Sequence, residues 1–559
     1  MKKCQNCKKE FEVTKDDLSF YKKINVPEPT FCPECRMQRR FAWRNNISLY
    51  NRTCELCQKE VVTIYSKESG IPVFCNKCWW NDKWNPLDYG VDYDFSKPFF
   101  KQYNELMQKV PHLAMVNDDG IASKNCEYTH DGWFSKNCYM VFYFWHVENC
   151  MYSSELTYGV KDVMDCLLIY SRAEQLYECI KCEGSFNLKY SQQASSCIDS
   201  VFLYDCKDCN NCLMCTGLRN KKYCYKNEQY SKEEYEKILE SYKLDTYSDV
   251  EKAKKEFNKF ILSYPRRYAS LFHSTRCTGD FIIDSKNCHN CFYINNCENC
   301  KFLDKTLQMK ECYDISTAGE ASECYESITV DNSSRNLFGN FSVKSQNVTY
   351  CQHCHSSKYL FGCVGLKHNK YCILNKQYTK EEYEELVPKI KQQMIDIPYV
   401  DKNGIKYKYG EFYPTEISPF GYNETFAVDH FPLNKEEVID KGFNWQDNIQ
   451  KTEGKQTLQE IPDSINNIDE SILNEILVCD QCNRNYKIVK NELIFYKKHS
   501  IPVPRKCFNC RTYNRVKKCN PLKLREKTCM KDGCDNKFKT AYSDSEIVYC
   551  EKCYQNEVY

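Results

Sequence analysis

The chain has 559 residues, 40 of them cysteine, and a formal net charge of +2. This length allows three or more domains, each with its own core. The longest apolar run, Met140 to Trp145, is much too short to cross a bilayer, so no membrane-spanning segment is expected. Closely spaced cysteines without an apolar leader favour a cytoplasmic, metal-binding protein over a secreted disulfide scaffold.

The small net charge hides basic ends and an acidic centre. Residues 1–86 carry 16 basic and 10 acidic side chains, and residues 479–559 carry 18 and 9. The residues between them carry 44 basic and 57 acidic side chains. This pattern predicts either that the ends pack against the centre or that they bind a polyanion.

Each end holds two cysteine quartets built from Cys-x-x-Cys pairs. Two such pairs, brought together by a hairpin, complete a tetrahedral thiolate site for zinc with no open ligand position. We therefore predict about four structural zinc ions, and weigh thioredoxin-like redox pairs as the weaker alternative because the surrounding βαβ pattern is missing. The predicted ligands are Cys4, Cys7, Cys32, Cys35, Cys54, Cys57, Cys75, Cys78, Cys479, Cys482, Cys507, Cys510, Cys529, Cys534, Cys550 and Cys553.

The two ends are copies of one another. A constant offset of 475 superposes Cys4 on Cys479, Arg36 on Arg511 and Cys54 on Cys529. In the last quartet the first pair, Cys529 and Cys534, is separated by two additional residues, and a shorter loop before Cys550 restores the register. Cys519 belongs to no quartet, and the offset places it on an arginine of the first copy.

The first copy resembles a known family of small domains. The matching motifs are Cys4-Gln-Asn-Cys7-Lys-Lys-Glu-Phe, Phe20-Tyr21, Phe31-Cys-Pro-Glu-Cys-Arg36 and Trp79-Trp80-Asn-Asp-Lys-Trp84. They are similar to "probable zinc-ribbon", treble-clef-like domains in large cysteine-rich, uncharacterised bacterial and phage proteins. The resemblance covers nearly the full chain and implies zinc binding, but it brings no established activity.

The centre has a cysteine period of three residues. All ten cysteines from Ser285 to Cys372 fall on one phase, and so do all those from Leu176 to Cys224. Neither a helix nor an ordinary strand has this period. A parallel β-solenoid with about 12 residues per coil has it, with small side chains stacked inside, as in the similar coils of insect antifreeze β-solenoids.

We interpret the central cysteines as small, reduced core residues. Two metal-binding alternatives stay open. The run Cys206-x-x-Cys209-x-x-Cys212-x-x-Cys215 superficially resembles an iron–sulfur motif, but lacks its longer fourth spacing and following proline. His353 and His355 flank Cys354, but they lie off the inward phase and are expected to be solvated.

The centre is itself duplicated, because Gly217–Tyr235 matches Gly365–Tyr383. Ser231 with Glu234, and Thr379 with Glu382, predict capping boxes that start a helix after each half. The fold class is therefore multidomain and mainly β, with a central parallel β-solenoid, helical insertions and tandem zinc-ribbon or treble-clef modules at both termini. The predicted order is 1–86 zinc modules, 87–115 linker helix, 116–226 first solenoid half, 227–265 helical insertion, 266–373 second half, 374–400 helix, 401–445 irregular strap, 446–478 linker and 479–559 zinc modules.

No P-loop, Rossmann glycine pattern, His-Glu-x-x-His motif or nucleophile elbow occurs, so we do not predict an enzyme, although a motif-free site stays open. We favour a zinc-binding interaction scaffold with a protein partner of unknown identity. The alternative is sequence-independent nucleic-acid binding through basic residues after the second cysteine pairs. Those candidate contacts are Arg36, Arg39, Arg40, Arg44, Arg511, Arg515, Lys517 and Lys518, with Phe41, Trp43, Trp79 and Trp80 available for stacking.

Overall fold

The computed structural model describes residues 1–45, 47–118, 120 and 122–558. Within these residues the protein is multidomain and rich in strands, with 39 strands and 12 helices. The N-terminal part pairs its short strands as hairpins, β1 with β2 and β3 with β4, and pairs β5 with β6 in parallel. Its elements are β1 (Lys2–Lys3), β2 (Glu10–Phe11), α1 (Lys15–Lys23), α2 (Pro33–Phe41), β3 (Tyr50–Thr53), β4 (Glu60–Thr63), β5 (Val73–Phe74), α3 (Asn76–Trp79), α4 (Phe99–Met107) and β6 (His112–Leu113).

The next segment, which we call the first parallel region, consists of short strands that pair in parallel with strands one turn of chain away. Its strands are β7 (Lys124–Glu127), β8 (His130–Trp133), β9 (Lys136–Tyr139), β10 (Phe142–Trp145), β11 (Ser154–Thr157), β12 (Lys161–Met164), β13 (Leu167–Tyr170), β14 (Glu174–Tyr177), β15 (Phe186–Lys189), β16 (Ile198–Tyr204), β17 (Asn210–Thr216) and β18 (Lys222–Tyr225). The antiparallel strand β19 (Glu228–Gln229) ends it, and α5 (Lys232–Ser241), α6 (Tyr247–Leu262) and β20 (Arg266–Arg267) follow.

The second parallel region repeats this arrangement. Its strands are β21 (Leu271–Phe272), β22 (Thr278–Ile283), β23 (Lys286–Asn295), β24 (Glu298–Lys301), β25 (Asp304–Lys310), β26 (Tyr313–Ser322), β27 (Tyr325–Leu337), β28 (Asn340–Val343), β29 (Gln346–Thr349), β30 (Lys358–Phe361) and β31 (Lys370–Ile373). It also ends on an antiparallel strand, β32 (Lys376–Gln377). The capping boxes predicted at Ser231 and Thr379 are both present, so the helix start after each region is confirmed.

The rest of the chain returns across the molecule to a second terminal part. The elements are α7 (Lys380–Asp396), β33 (Tyr399–Val400), β34 (Lys406–Tyr407), α8 (Phe426–His430), α9 (Lys435–Asp440), β35 (Leu477–Val478), β36 (Asn485–Tyr486), α10 (Lys490–Lys498), α11 (Phe508–Lys517), β37 (Arg525–Thr528), β38 (Lys537–Thr540), β39 (Val548–Tyr549) and α12 (Glu551–Val558). The stretch expected to be a polar linker makes specific contacts, since Ser464 bridges Thr246 and Ile465 is buried.

Strand register in the parallel regions follows the cysteine period. In the second region Cys288 lies opposite Cys300, and Leu360 opposite Cys372, so partners are 12 residues apart. In the first region two successive turns have 13 residues, since Ser154 lies opposite Leu167 and Lys161 opposite Glu174. The additional residues fall just after Tyr158 and Ser171, where the spacing of left-handed residues widens from three to four.

A left-handed residue precedes almost every inward position of the parallel regions. Asn125, Asn137 and Asn149 have φ of +55° to +56°, as expected for asparagine at tight corners. Their side chains form a ladder in which the Asn125 Nδ2 donates to Asn137 Oδ1 at 3.1 Å, and the Asn137 Nδ2 to Asn149 Oδ1 at 2.9 Å. Sequence reasoning did not predict that aromatic residues, such as Phe134, adopt the same conformation.

The interior of each region is a column of small side chains. Cys288, Cys300, Cys312 and Cys324 are fully buried. The Cys288 Sγ donates at 3.4 Å to the carbonyl oxygens of Lys286 and of the next turn. Thiols therefore satisfy backbone acceptors in a space too narrow for larger side chains, and burial raises the pKa of Cys291, for example, well above its ordinary value.

Candidate metal centres

The structure brings together all four predicted cysteine quartets. In each quartet the four sulfur atoms lie within 4.8 Å of one another, and within the described part of the chain no other group of three or more candidate ligand residues meets this condition. The central cysteines, including the Cys206–Cys215 run, are separate from these clusters and buried in the interior columns. The geometry thus separates terminal thiols that can hold metal ions from central thiols that pack the core.

The first cysteine pair of three quartets lies on a tight backbone knuckle. In the first quartet the Lys8 N–H donates to the Cys4 carbonyl at 3.1 Å, and the Cys4 N–H to the Lys9 carbonyl at 2.9 Å. The residue after the second cysteine is left-handed in all three, with φ of +62° at Lys8, +61° at Gln58 and +57° at Asn483. This turn places both sulfur atoms on one side of the loop.

The second pair of each quartet lies at the start of a helix. Cys32 is the N-cap of α2, Cys75 of α3 and Cys507 of α11, while Cys550 directly precedes α12. Backbone N–H groups at these helix starts point toward the first pair, as the Cys32 N–H does toward Cys4 Sγ at 3.3 Å. Helix N-termini and N–H donors stabilise thiolates, which is the protonation state that binds metal.

The pKa of two first-pair thiols illustrates this effect. Burial acts to raise the pKa of Cys54, but N–H groups of Cys75, Cys57 and Leu56 outweigh it and lower the pKa to about 7. The same balance, with donors at Cys507, Gln481 and Cys482, lowers the pKa of Cys479 to about 7. The polypeptide therefore prepares thiolates at these positions without help from an ion.

The sulfur spacing fits a tetrahedral ion of the size of zinc. Zinc–sulfur bonds of about 2.3 Å place tetrahedral sulfurs about 3.8 Å apart. The Sγ atoms of Cys7 and Cys32 are 3.7 Å apart, and those of Cys57 and Cys75 are 3.9 Å apart. The C-terminal quartets give the same values, 3.7 Å for Cys482–Cys507 and 3.9 Å for Cys534–Cys550.

The fourth quartet keeps this geometry with a longer first loop. The two additional residues between Cys529 and Cys534 are accommodated by a turn in which the Cys534 N–H donates to the Lys531 carbonyl at 3.1 Å. Gly533 adopts φ +76° within this turn, a conformation that glycine reaches at little cost. The Cys550 N–H still donates to Cys529 Sγ at 3.3 Å, so the change in loop length leaves the donor arrangement intact.

The arginines after the first module's second pair are buried against the second parallel region. Asp314 accepts from both Arg36 Nη2, at 2.8 Å, and Arg40 Nη1, at 3.2 Å. Arg39 Nη2 pairs with Glu326 at 2.8 Å. All three arginines are at most 2% exposed. Burial alone would lower the pKa of Arg36, but Asp314 and its other neighbours keep it well above the ordinary value.

The C-terminal module repeats this contact on the first parallel region. Asp165 accepts from Arg511 Nη1 at 2.8 Å and from Arg515 Nη1 at 2.6 Å, and Arg511 also contacts Glu492 at 3.3 Å. Asp165 and Asp314 both occupy left-handed corner positions, with φ of +55° and +57°. Each terminal module therefore docks an arginine pair onto one corner aspartate, the first module on the second region and the last module on the first.

Arg44 lies between the two parallel regions. Its guanidinium pairs with Asp131 of the first region and donates to Thr317 Oγ1 at 2.6 Å and to Thr329 of the second. Of the eight basic residues proposed as nucleic-acid contacts, six are thus buried in ion pairs, because the acidic centre meets the basic ends. Lys517 and Lys518 remain exposed. The hypothesis of phosphate contacts stays untested, but the six arginines would first have to leave their carboxylates.

The aromatic residues proposed for stacking also form a core. Phe41 and Trp43 are 1% exposed and Trp79 is fully buried, whereas Trp80 is 41% exposed. Trp43 packs against Tyr413 with ring centroids 4.7 Å apart. The expected strap from residue 401 to 445 contributes such contacts to the core around the first module.

The expectation that His353 is solvated is wrong. His353 is 2% exposed, its Nε2 lies 3.1 Å from the Tyr65 hydroxyl, and its ring stacks on Phe341. His355 packs between Trp79 and Trp80. Both rings point outward from their coil as predicted, but the N-terminal module covers this outer face. The off-phase position therefore gives the direction of the side chain, not its exposure.

Sequence reasoning missed the carboxylates that receive the arginines. Asp165, Asp314 and Glu326 lie at corner positions, one residue before or after which the chain turns inward. The available signal was indirect: an acidic centre between basic ends, and a fixed phase that places these residues outside the interior columns. It did not identify partners, since nothing in the local pattern distinguishes them from other acidic corners.

Comparisons with known proteins provide no assignment. No family model matches the chain, and no curated protein matches it. A crystal structure provisionally described as an acetyltransferase, from Desulfovibrio desulfuricans G20, aligns with 41% of this chain and 63% of its own length, at 11% identity and a TM-score of 0.11. At that score the likeness supports no argument about fold or activity.

A search of the helices for membrane spans gave a negative result. Among the helices of the described residues, none combines the length and apolarity that a bilayer crossing requires.

Proposed function

We propose that the protein is a zinc-binding structural scaffold whose terminal modules clamp two central β-solenoid halves into one interaction platform. The observation that carries this proposal is the repeated anchoring of a module on a corner aspartate, Arg36 with Asp314 and Arg511 with Asp165. In both cases the anchoring helix begins at a cysteine of a quartet, so metal binding and docking depend on the same helix.

Zinc is the metal that the donor sets favour. Four thiolates at tetrahedral spacing suit zinc, and a site with four protein ligands leaves no position for a reacting water. The knuckle followed by a helix that carries the second pair supports a treble-clef-like, zinc-ribbon type of module. Such ions act structurally, and each stabilises its module by about 10 kcal/mol or more.

The β-solenoid interpretation of the centre rests on three regularities. Parallel partners lie 12 residues apart through most of both regions, corners recur every three residues, and small side chains fill the interior. The two halves would be related by duplication, each closed by an antiparallel strand and a capped helix. A coil of this kind is rigid, because every turn is hydrogen-bonded to its neighbours.

A scaffold needs fixed surfaces rather than a catalytic cleft. Crosswise docking ties the chain's two ends to opposite halves, so that the outer faces of the solenoids keep a defined relative position. Nucleic-acid binding, the other candidate, receives less support because most of its proposed cationic contacts are engaged by carboxylates. A cytoplasmic location stays an expectation from cysteine usage.

Chelation combined with limited proteolysis tests the scaffold proposal. Metal removal with a thiolate-competing chelator should unfold the modules and expose cleavage sites within residues 1–86 and 479–559. The parallel regions should stay resistant, because their cores contain no metal-ligand group among the described residues. Small-angle scattering should then show a larger radius of gyration. Unchanged proteolysis and scattering after complete metal removal would refute the proposal.

A further inference from the structure

A pocket of about 300 Å³ lies where the first parallel region, α6 and the C-terminal module meet. Tyr177, Tyr190 and Phe202 of the parallel region form one wall, and Tyr247 of α6 lies at another. Its rim and floor carry seven basic side chains but only two carboxylates, those of Glu178 and Glu251. This volume is at the lower limit of small-molecule sites, so the pocket suits a compact ligand.

Three of the basic groups are already neutralised by the protein. Lys254 Nζ lies 2.9 Å from Glu178 and 3.1 Å from Glu251. Arg511 and Arg515 share the carboxylate of Asp165 behind the pocket wall. These pairs account for the pocket's carboxylates, which leaves none for the other four cations.

The remaining cations are Lys255, Lys506, Lys518 and Arg505. In the described residues, none of them forms an ion pair. The Arg505 guanidinium donates to the backbone carbonyls of Val503 at 2.9 Å and Ile461 at 2.8 Å, which fixes its position without neutralising its charge. Four uncompensated positive charges around one concave surface make a strong attraction for an anion.

The other half of the molecule shows what occupies the equivalent place. Glu178 corresponds to Glu326 under the offset of 148 between the duplicated halves, and Arg505 corresponds to Thr30 under the offset of 475. There the Thr30 N–H and hydroxyl donate to the Glu411 carboxylate at 3.0 and 2.5 Å. A carboxylate of the strap therefore fills the N-terminal site.

The C-terminal copy differs in both charge and space. Thr30 is replaced by Arg505, Phe31 by Lys506 and Trp43 by Lys518, so three neutral positions became cationic. The α6 side chain Phe257 packs on Phe202, with ring centroids 5.5 Å apart, and covers the neighbouring aromatic wall. What remains open is the anion position alone, with room for a small group rather than an extended strap.

We propose that this pocket binds a compact phosphate-bearing small molecule, with Arg505, Lys506 and Lys518 as its charged contacts. A single carboxylate, like that of Glu411, carries too little charge for four unpaired cations, whereas a phosphate group carries more charge and several strong acceptor oxygens. Guanidinium and ammonium groups both bind phosphate oxygens well. The inference is independent of the scaffold proposal, because a ligand site requires no particular role for the zinc modules.

Titration calorimetry on the zinc-loaded full chain tests this site with pyrophosphate, inorganic phosphate and acetate as probes, with the zinc content measured before and after. We expect pyrophosphate to bind most tightly and acetate not to bind measurably. The double variant Lys506→Ala/Lys518→Ala should weaken pyrophosphate binding by about tenfold or more and reduce its salt dependence. The matched control is Lys252→Ala/Lys441→Ala, which removes two exposed lysines outside the pocket and should change neither.

Three results would overturn the proposal. One is the absence of heat with any phosphate probe at concentrations up to about 10 mM, well above the range of specific sites. Another is equal weakening by the double variant and its control, which would indicate general surface charge. A third is preferential binding of a short glutamate-rich peptide or of single-stranded DNA over pyrophosphate, which would assign the pocket to a macromolecular anion instead.

Discussion

Arg36 and Asp314 are 278 residues apart in the chain, yet their side chains form a 2.8 Å ion pair in which neither is more than 1% exposed. Arg511 and Asp165 form the equivalent pair in the other half, also at 2.8 Å. Two charges removed from water are tolerated only when each is well paired, so these contacts fix where each module sits.

Replacing Asp314 with asparagine should therefore destabilise the protein strongly. Arg36 and Arg40 would both lose their carboxylate while remaining buried, at a cost of about 3–5 kcal/mol in the free energy of unfolding. Urea denaturation measures this loss. The control Glu385→Gln breaks an exposed helical pair with Lys389 and should cost less than about 0.5 kcal/mol. Similar losses for both variants would show that the buried pair does not anchor the module.

The Cys32→Ser variant should bind about one zinc ion fewer per chain than the parent. Cys32 is both a ligand of the first quartet and the N-cap of α2, the helix that carries Arg36. Its loss should loosen the first module, seen as faster proteolysis within residues 1–45. Cys519→Ser is the matched control, since that thiol belongs to no quartet, and it should retain full zinc content. Equal zinc loss in both would contradict the ligand assignment.

The quartets, the three-residue period and the capped helices were all predictable, because each is written in a local pattern. Cys-x-x-Cys spacing determines a knuckle, and Ser231 with Glu234 determines a helix start, wherever the segment lies in the fold. Their ranges agree with the structure because the signals involve residues close together in the chain.

The docking of the modules was not predictable in detail. The charge asymmetry indicated that ends and centre attract, but the pairing of Arg36 with Asp314 depends on how two distant surfaces meet. The same reason explains His353: its outward direction follows from the coil phase, while its burial depends on the module that covers it. Sequence offsets place Arg511 on Arg36, yet they do not show that the contact crosses between halves.

The interior of the second parallel region should not tolerate a large side chain. Ala318 lies opposite Thr306 in the parallel register and is 3% exposed. Ala318→Phe should lower the free energy of unfolding by about 1–3 kcal/mol or more, since the coil is held on all sides by its own backbone bonds. Lys310→Phe, at an exposed position of the neighbouring strand, is the control. A harmless Ala318→Phe would mean that the interior can expand.

Acid should destabilise the protein through its buried histidines. Burial lowers the pKa of His112 to about 4 and that of His130 to about 3, whereas both titrate near 6.5 when unfolded. The unfolded chain then binds more protons between these values, so stability falls as the pH drops from about 6.5 toward 4.

The slope of unfolding free energy against pH measures this effect. Because acid also displaces metal from thiolates, the test compares variants: His130→Gln should flatten the slope, and His273→Gln, whose side chain is 87% exposed, should not. An unchanged slope in His130→Gln would show that this histidine does not contribute.

Metal analysis of the purified full-length protein tests the central claim most directly. Inductively coupled plasma mass spectrometry together with native mass spectrometry should give four zinc ions per chain, one for each cysteine quartet. A content near zero, or iron accompanied by visible absorption, would contradict the account of four closed zinc sites.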